Sequence, residues 1–206
     1  MDGRRPRRVE LCAGADLCRH WVFEVPASVR SFDELRLLAR LRAAQLFGSE
    51  REAGGEWAVT GDWRPEGRVF AGALPAAWLD RIQQAGRELG LGLQLRSAQE
   101  LALGVQWPRD GRQVLAWQTP RHLALALVGE GSVQAWRSMR RPPDLPASSL
   151  PALVAAEAAG MAAALGMTPP PVQSWAAPWP GGGEPGWSEA AWAACVAAFG
   201  LTGGAS

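Results

Sequence analysis

Three acidic residues could supply the carboxylates of a catalytic site in a chain that is rich in predicted strands. Asp16 follows the first predicted strand, Glu24 lies near the end of the second, and Asp62 lies near the end of the third. A two-metal site for phosphoryl transfer needs such carboxylates at the ends of adjacent strands. However, acidic residues also favour turns for local hydrogen bonding alone. We therefore interpret all three as turn and edge residues and keep a rearranged site around Asp16 and Asp62 as the alternative.

The histidines and cysteines form no pattern typical of a nucleophile or a metal site. His20 lies within a predicted strand and His122 at the base of another, and neither has a partner of the expected kind nearby in sequence. Cys12, Cys18 and Cys195 lack C-x-x-C spacing and give no zinc pattern with the histidines. Free, buried thiols in a reducing cytoplasm are the simpler interpretation. No phosphate-binding glycine motif is present, so we predict no catalytic, cofactor-binding or metal-binding residue.

Composition favours a cytoplasmic globular protein. The chain has 206 residues, of which 48% are hydrophobic and 20% charged, with a net charge of +1. This charge gives no overall attraction to nucleic acid or to anionic membranes. The basic N-terminal residues 1–8 precede no apolar signal region, and no run approaches the roughly 20 apolar residues that span a bilayer. We therefore expect a cytoplasmic location.

The arginine content reflects a compositional bias. Lysine, asparagine and tyrosine are absent and Ile82 is the only isoleucine, whereas Ala, Gly, Arg, Pro and Trp are abundant. The missing residues have AT-rich codons, so the bias indicates a GC-rich, bacterial source. Arg36 and Arg40, which share one face of a predicted helix, are accordingly interpreted as a solvated surface.

The first predicted elements are two strands and a helix. Val9–Ala13 and Arg19–Val25 read as strands joined by a short turn, so we expect a hairpin. Ser31 and Glu34 have the spacing of a capping box, and the helix that they begin is predicted to end at Gly48. The face of this helix predicted to be buried consists of Phe32, Leu35, Ala39, Ala43 and Leu46.

The next block alternates strands and helices. Glu56–Trp63 and Arg68–Leu74 read as strands joined by an R-P-E-G turn. A helix follows Pro75, then a strand at Leu91–Leu95 and one or two helical turns within Ser97–Leu103. The stripe of this helix predicted to be buried consists of Trp78, Ile82, Ala85 and Leu89.

The segment from 113 to 139 predicts three consecutive strands. They are Val114–Trp117, His122–Val128 and Ser132–Met139, with a tight glycine-containing hairpin at residues 129–131. A third helix is capped by Ser148 or Ser149 and closed by Gly166. Its predicted packed face consists of Leu150, Val154, Ala158, Met161 and Leu165.

Residues 168–206 differ in character from the rest. Proline, glycine and tryptophan dominate, which is typical of a linker that is partly polyproline II. A short helix is predicted at 188–199, with one apolar side that packs either on its own domain or on a partner. The expected organisation is a basic tail at 1–8, one domain at 9–167 and this C-terminal tail.

Two blocks of the sequence resemble a known family. The first block is W-A-V-T-G-D-W followed by R-V-F-A-G-A-L-P-A-A-W-L-D-R-I-Q-Q-A-G-R-E-L-G-L. In this block a strand pair ends at Leu74-Pro75, a helix follows, and Ala85-Gly86 leads towards a strand at Leu91. The second block, residues 113–139, resembles strands that begin a second lobe and ends at Arg137. Together they resemble the actin-like proteins of type IV pilus and type II secretion machinery: PilM, MshI and the cytoplasmic part of GspL. The resemblance covers roughly residues 9–165 and implies an α/β (α+β) fold with mixed sheets and ribonuclease H-like, actin-like lobes.

The phosphate loops of this family are altered here. The second loop typically reads D-x-G-x-x-x-T, but this chain has Trp117 in place of the aspartate, lacks the glycine, and has Pro120, which removes a backbone donor. The first loop offers Gly14 and Asp16 in the wrong order. The chain also ends early for the rest of a second lobe with an adenine pocket. The resemblance therefore implies a pseudo-ATPase that neither binds nor hydrolyses nucleotide.

The function implied by the resemblance is that of a non-catalytic cytoplasmic scaffold. In the family, the pilus protein binds a short cytoplasmic segment of an inner-membrane subunit, and a groove near residues 57–95 would be the matching place. No individual binding residue carries over. Nucleic acid is not an expected partner, and contact with the inner membrane is expected to be peripheral and indirect. The alternatives are an actin-like or ribonuclease H-like phosphotransferase with a rearranged site, and an unrelated cytoplasmic domain.

Overall fold

A computed structural model describes residues 7–13, 18–48, 56–97, 103, 111–118 and 122–176. The chain divides into compact units at residues 1–175 and 176–206, and the fold below is that of the first. The predicted helices at 97–103 and 188–199 fall largely and wholly, respectively, outside the described residues. In chain order the elements are β1 Arg7–Ala13, β2 Arg19–Glu24, α1 Phe32–Phe47, β3 Trp57–Gly61, β4 Arg68–Pro75, α2 Ala76–Glu88, β5 Leu91–Ser97, β6 Gln113–Gln118, β7 His122–Gly129, β8 Ser132–Arg140, a 3-10 turn Ala147–Ser149, α3 Leu150–Ala164 and β9 Val172–Ala176.

The strands form three sheets. β1 and β5 make a parallel pair, β2, β4 and β3 form an antiparallel sheet in that order, and β8, β7, β6 and β9 form a four-stranded sheet. Parallel and antiparallel pairing therefore occur together with packed helices. This arrangement confirms the predicted fold class, α/β (α+β) with mixed sheets.

The predicted hairpin of β1 and β2 is wrong. β1 pairs in parallel with β5, from Arg7 opposite Leu91 to Ala13 opposite Ser97, whereas β2 pairs with β4. The physical reason is that alternating hydrophobicity predicts that a strand exists but not which strand it pairs with. The short connection suggested a hairpin, but pairing with later strands places β1 and β2 in different sheets.

Helix α1 begins and ends as its sequence predicts. The Glu34 backbone N–H donates to the Ser31 hydroxyl at 3.2 Å, and Gly48 closes the helix with a φ of 88°. The Glu34 carboxylate accepts from the Arg30 backbone N–H at 2.7 Å. Of the predicted apolar face, Leu35, Ala39 and Ala43 are buried, whereas Phe32 and Leu46 at its two ends are exposed.

The elements stack in four layers. α1 packs on one face of the β2–β4–β3 sheet through Leu35, Trp21 and Val69. The other face of that sheet, with Phe70, packs against one face of the β6–β7–β8 sheet. The far face of the latter carries α3. The core between α3 and its sheet consists of Val114, Ala116, Leu123, Leu125, Leu127, Leu150, Val154, Ala158, Met161 and Ala162.

The β7–β8 hairpin has the tight turn that its glycines predict. Gly129 pairs with Ser132, so Glu130 and Gly131 form a two-residue loop with φ angles of 54° and 70°. Positive φ at both positions defines a type I′ turn, whose twist matches that of the flanking strands. Glu130 also forms a salt bridge with Arg112.

Helix α2 packs closely on β5. The Leu89 side chain, predicted to be buried, is 70% exposed because it lies just after the helix. The buried position of the helix is Gly86, where an added Cβ would lie 2.6 Å from the Leu93 Cγ. The glycine therefore permits the close contact between helix and strand.

The stretch Ala147–Ala164 has a mean hydropathy of 1.3 and is long and apolar enough to cross a membrane by length and composition. The expectation that no run approaches this limit was too strict. One face of α3 packs on the sheet through Leu150, Val154 and Met161, as in a core helix of a folded domain. Such core helices pass the same test, so composition alone does not make this stretch a span.

The edge strand β9 was not predicted. Val172–Ala176 adds to β6, and the Val114 backbone N–H donates to the Pro171 carbonyl at 3.0 Å. The surrounding prolines indicated a linker, but proline is tolerated next to an edge strand, where no ladder hydrogen bond is lost.

Candidate functional site

A groove opens on the face of the β2–β4–β3 sheet that points away from α1. Its floor is a row of three residues in register across the sheet: His20 lies opposite Gly72, and Gly72 lies opposite Thr60. The alternate residues Trp21 and Ala73 belong to the core that the other face of the sheet shares with α1. Because Gly72 has no side chain, the centre of the row is open.

The groove is mainly apolar and has a volume of about 350 Å³. This volume lies at the lower end of the range typical of ligand sites. Helix α2 and strand β5 form the walls opposite the sheet. The lining of the groove has more apolar than polar surface. The residues that line it besides the floor are Cys18, Ala58, Val59, Ala73, Leu74, Leu79, Gln94, Leu95 and Ser97.

His20 lies where the groove meets the core between the β2–β4–β3 sheet and the β6–β7–β8 sheet. Its Nε2 is 3.0 Å from the Ser97 hydroxyl, and its ring stacks on Phe70 with centroids 5.3 Å apart. Trp136 lies against the same ring at 5.2 Å. Burial lowers the pKa of His20 to about 4 because desolvation penalises the charged imidazolium. The groove therefore presents a neutral imidazole near neutral pH.

The contact between His20 and Ser97 has the outline of a base and a nucleophile. Sequence reasoning missed it, because the two residues lie 77 positions apart and only the position of β5 brings them together. A general base works best with a pKa near the operating pH. With its pKa lowered to about 4, His20 is a weak base. The geometry is better explained as a hydrogen bond that joins β2 to the end of β5.

The edge of β3 offers backbone groups beside the groove. The Asp62 N–H donates to the Phe70 carbonyl and the Ala76 N–H to the Glu56 carbonyl. Hydrogen bonding alternates along an antiparallel ladder. The N–H and C=O groups of Trp57, Val59 and Gly61 therefore point to the opposite edge, with which no strand in the described part of the chain pairs.

The structure describes two of the three acidic candidates, Asp62 and Glu24. Asp62 accepts the Phe70 N–H at 2.8 Å and the Arg64 guanidinium at 3.0 Å, so its carboxylate braces the start of β4. Glu24 is exposed at the end of β2, and Asp16 lies outside the described residues. Among the described residues, no group of three or more His, Cys, Asp or Glu side chains has the arrangement of a metal site.

The loop between β6 and β7 is where the resemblance implies a second phosphate loop. Trp117 is buried there, with its ring 5.8 Å from that of Trp136. A second cavity of about 140 Å³ lies beside it, lined by Gln118, Leu123 and the start of α3. His122 is buried at the base of β7, and residues 119–121, including Pro120, lie outside the described residues.

Two solved structures share this fold, in agreement with the fold class predicted from the resemblance. The chain is similar to Cyto-EpsL, the cytoplasmic domain of EpsL, an inner membrane component of the type II secretion system of Vibrio cholerae. The TM-score is 0.51 and the identity 13%, over 86% of this chain. It is also similar to a chain of the PilM–PilN type IV pilus biogenesis complex, with a TM-score of 0.50 and 14% identity over 68% of this chain.

The chain spans 64% of the matched EpsL chain and 44% of the matched chain of the pilus complex. A third structure, a Bacteroides thetaiotaomicron protein with an actin-like ATPase fold and unknown function, has a TM-score of 0.48 at 8% identity and covers 93% of this chain and 66% of its own. No protein-family model matches the sequence, and a search of curated proteins finds no match.

Proposed function

We propose that the protein is a non-catalytic scaffold that holds a segment of a partner protein at an inner-membrane assembly of the type IV pilus or type II secretion kind. The groove carries this proposal, because it is built largely from the strand and helix block at residues 56–97 and runs beside the edge of β3, with which no described strand pairs. The fold shared with Cyto-EpsL and with the pilus complex supports the choice of partner class.

The groove suits an extended segment. An added strand would pair with the outward N–H and C=O groups of Trp57, Val59 and Gly61, and alternate side chains would enter the space above Gly72. Backbone pairing would supply affinity, and the open space at Gly72 would admit apolar side chains.

Under this proposal the protein works in the cytoplasm, peripheral to the inner membrane, with the layered fold from β1 to β9 as its binding domain. Nucleotide takes no part. Trp117, where the family carries an aspartate, is buried against Trp136 and cannot contribute a carboxylate to a phosphate site.

The test is capture of partners from the native host with the full chain as bait, followed by measurement of the affinity of the captured subunit's cytoplasmic segment. Gly72→Leu fills the floor of the groove, and Thr60→Arg, at an exposed position, tests the same site without a buried change. Gly160→Leu is the matched control, since an added Cβ at this exposed glycine meets no atom within 4 Å.

We expect a pilus or secretion subunit in the capture, and a loss of affinity of roughly tenfold or more in both groove variants, which corresponds to at least about 1.4 kcal/mol. The control should bind like the wild type. Repeated capture without such a subunit, or full affinity in both groove variants, would reject the proposal.

A further inference from the structure

The groove separates the β1–β5 pair from the β2–β4–β3 sheet. In the described part of the chain, β1 and β5 pair with each other and with no other strand. Leu95 and Ser97 of β5 line one wall of the groove, and Gly72 of β4 lies in its floor. Packed layers of a protein normally leave few voids larger than a water molecule, whereas about 350 Å³ of open space lies here. The β1–β5 pair is therefore not held to the sheet by a continuous packed core along the groove.

Helix α2 belongs structurally to the β1–β5 pair. It packs more extensively on β5 than on β3 or β4, and it approaches β5 closely where Gly86 meets Leu93. Gly86 is also the one residue of this helix that is buried. The helix starts directly after Pro75, where β4 ends, and the Ala76 N–H donates to the Glu56 carbonyl at 2.7 Å. A turn about this junction would move α2, β5 and β1 together.

A hydrogen bond joins the last residue of β5 to the sheet. The His20 Nε2 lies 3.0 Å from the Ser97 hydroxyl, and both residues are buried. His20 is itself fixed on the sheet, because its ring stacks on Phe70. In register His20 lies opposite Gly72, which is roughly 10 Å along β4 from Pro75. The hydrogen bond therefore holds β5 at a second place, away from the junction at Pro75.

We propose that α2, β5 and β1 form a jaw that opens and closes over the groove, and that the hydrogen bond between His20 and Ser97 is the latch that holds the jaw closed. Closure of hinged elements around a ligand is a recurrent conformational change, and its hinges are a few residues at the ends of elements. A hydrogen bond contributes only modestly to net stability. The latch therefore favours the closed jaw without excluding a minor open state.

The open jaw admits an extended segment beside β3, and closure brings α2 and β5 over the side chains of that segment. This step rests on the proposed function for the identity of what is held, whereas the movement itself belongs to the chain without a partner. A test on the chain alone therefore separates the two proposals. A latch without effect leaves the partner proposal standing, and failure to capture a partner leaves the jaw standing.

Cys18 can report the opening, because it lines the groove and is only 8% exposed. The experiment measures the rate at which N-ethylmaleimide alkylates Cys18 in the full chain, with Cys12→Ala and Cys195→Ala removing the other thiols. A matched control chain carries Cys18→Ala and Ala126→Cys, which places the thiol at a fully buried position of β7, outside the jaw and the groove. Alkylation of this control thiol reports the opening of the domain as a whole.

Two substitutions remove the latch, and each is introduced into both chains. Ser97→Ala deletes the hydroxyl, and His20→Phe keeps a ring against Phe70 but deletes the nitrogen that forms the hydrogen bond. Urea unfolding of every variant shows how far the global stability has changed.

We expect each substitution to speed the alkylation of Cys18 by roughly 2- to 10-fold, the factor that corresponds to one hydrogen bond. The two substitutions together should add little to either alone, because both remove the same interaction. The control thiol should change only as far as the global stability changes. If Ser97→Ala and His20→Phe leave the rate at Cys18 unchanged, or raise it no more than the rate at the control thiol, the jaw and its latch are rejected.

Discussion

His20 lies at the boundary between the groove and the aromatic core, and its surroundings determine its charge. The imidazole contacts Phe70, Trp136 and the Ser97 hydroxyl. The sequence could indicate a histidine within a strand, but not this environment. Its partners come from β4, β5 and β8, and their meeting depends on how the sheets are layered. The burial that makes His20 a poor catalyst also makes it sensitive to acid.

The protein should lose stability in acid through His20. The folded-state pKa is about 4 against a usual value of 6.5. Below pH 6.5 the unfolded chain therefore binds a proton that the folded chain excludes. The stability contributed by the neutral form is fully present above pH 6.5 and falls until the pH reaches about 4. The total loss should be on the order of 3 kcal/mol.

Urea unfolding of the wild type and of His20→Gln across this pH range tests the assignment. The variant should show a smaller loss of stability on acidification. Ser97→Ala should retain most of the wild-type slope, because burial rather than the hydrogen bond lowers the pKa. Equal slopes in the wild type and His20→Gln would contradict the prediction.

At the scale of elements, local sequence patterns predicted where helices and strands lie along the chain, but not which strands pair with each other. The strand at residues 122–129 and helices α1 and α3 lie where alternation, capping and apolar spacing place them. The pairing of β1 with β5 and the edge strand β9 were missed, because each depends on contacts far along the chain. The groove also depends on contacts far along the chain: residues 58–97 form most of it, but His20 of β2 and Cys18, the residue before β2, complete it.

Two glycines within helices should respond in opposite ways to alanine. At Gly86 the new Cβ would lie 2.6 Å from the Leu93 Cγ and 3.2 Å from the Leu91 carbonyl oxygen. Overpacking of this kind typically costs about 1–3 kcal/mol, which outweighs the gain in helix propensity of up to about 1 kcal/mol. Gly86→Ala should therefore destabilise the fold by roughly 1 kcal/mol.

Gly160→Ala is the counterpart in α3, where an added Cβ meets no atom within 4 Å. Only the propensity gain remains, so we expect a stabilisation of about 0.5–1 kcal/mol. Urea unfolding of both variants measures whether each substitution raises or lowers the free energy of unfolding. A stabilising Gly86→Ala would mean that α2 and β5 have room to separate.

At the scale of the whole fold, the contact between the β2–β4–β3 sheet and the β6–β7–β8 sheet joins the groove to the rest of the fold. Phe70 on one sheet meets Trp136 and Trp117 on the other. Arg68 reaches across to the Gln134 carbonyl at 3.2 Å, and Arg64 to the Gly131 carbonyl at 2.8 Å. The fold class could be predicted from the order of elements, but this layer contact could not, since no sequence pattern states which sheet faces meet.

Substitutions of Trp136 test how much this contact between the sheets contributes to stability. Its ring lies 5.3 Å from Phe70, 5.2 Å from His20 and 5.8 Å from Trp117. Its buried indole N–H has no hydrogen-bond partner among the described residues. Trp136→Ala removes the ring and should cost about 2–4 kcal/mol, somewhat below the usual figure for a tryptophan because the residue is only half-buried. Trp136→Phe keeps an aromatic surface and removes the unsatisfied donor, so it should change stability by less than about 1 kcal/mol.

Denaturant unfolding of both variants, followed by far-UV circular dichroism and by tryptophan fluorescence, separates the roles of ring and donor. In the wild type and in Trp136→Phe the two probes should report one transition, because both sheets share this core and unfold together. In Trp136→Ala the weakened contact should bring the two transitions apart or shift both to lower denaturant. If Trp136→Ala unfolds at the wild-type midpoint, the sheets do not depend on this aromatic contact, and the groove would be stabilised from the β2–β4–β3 sheet and β5 alone.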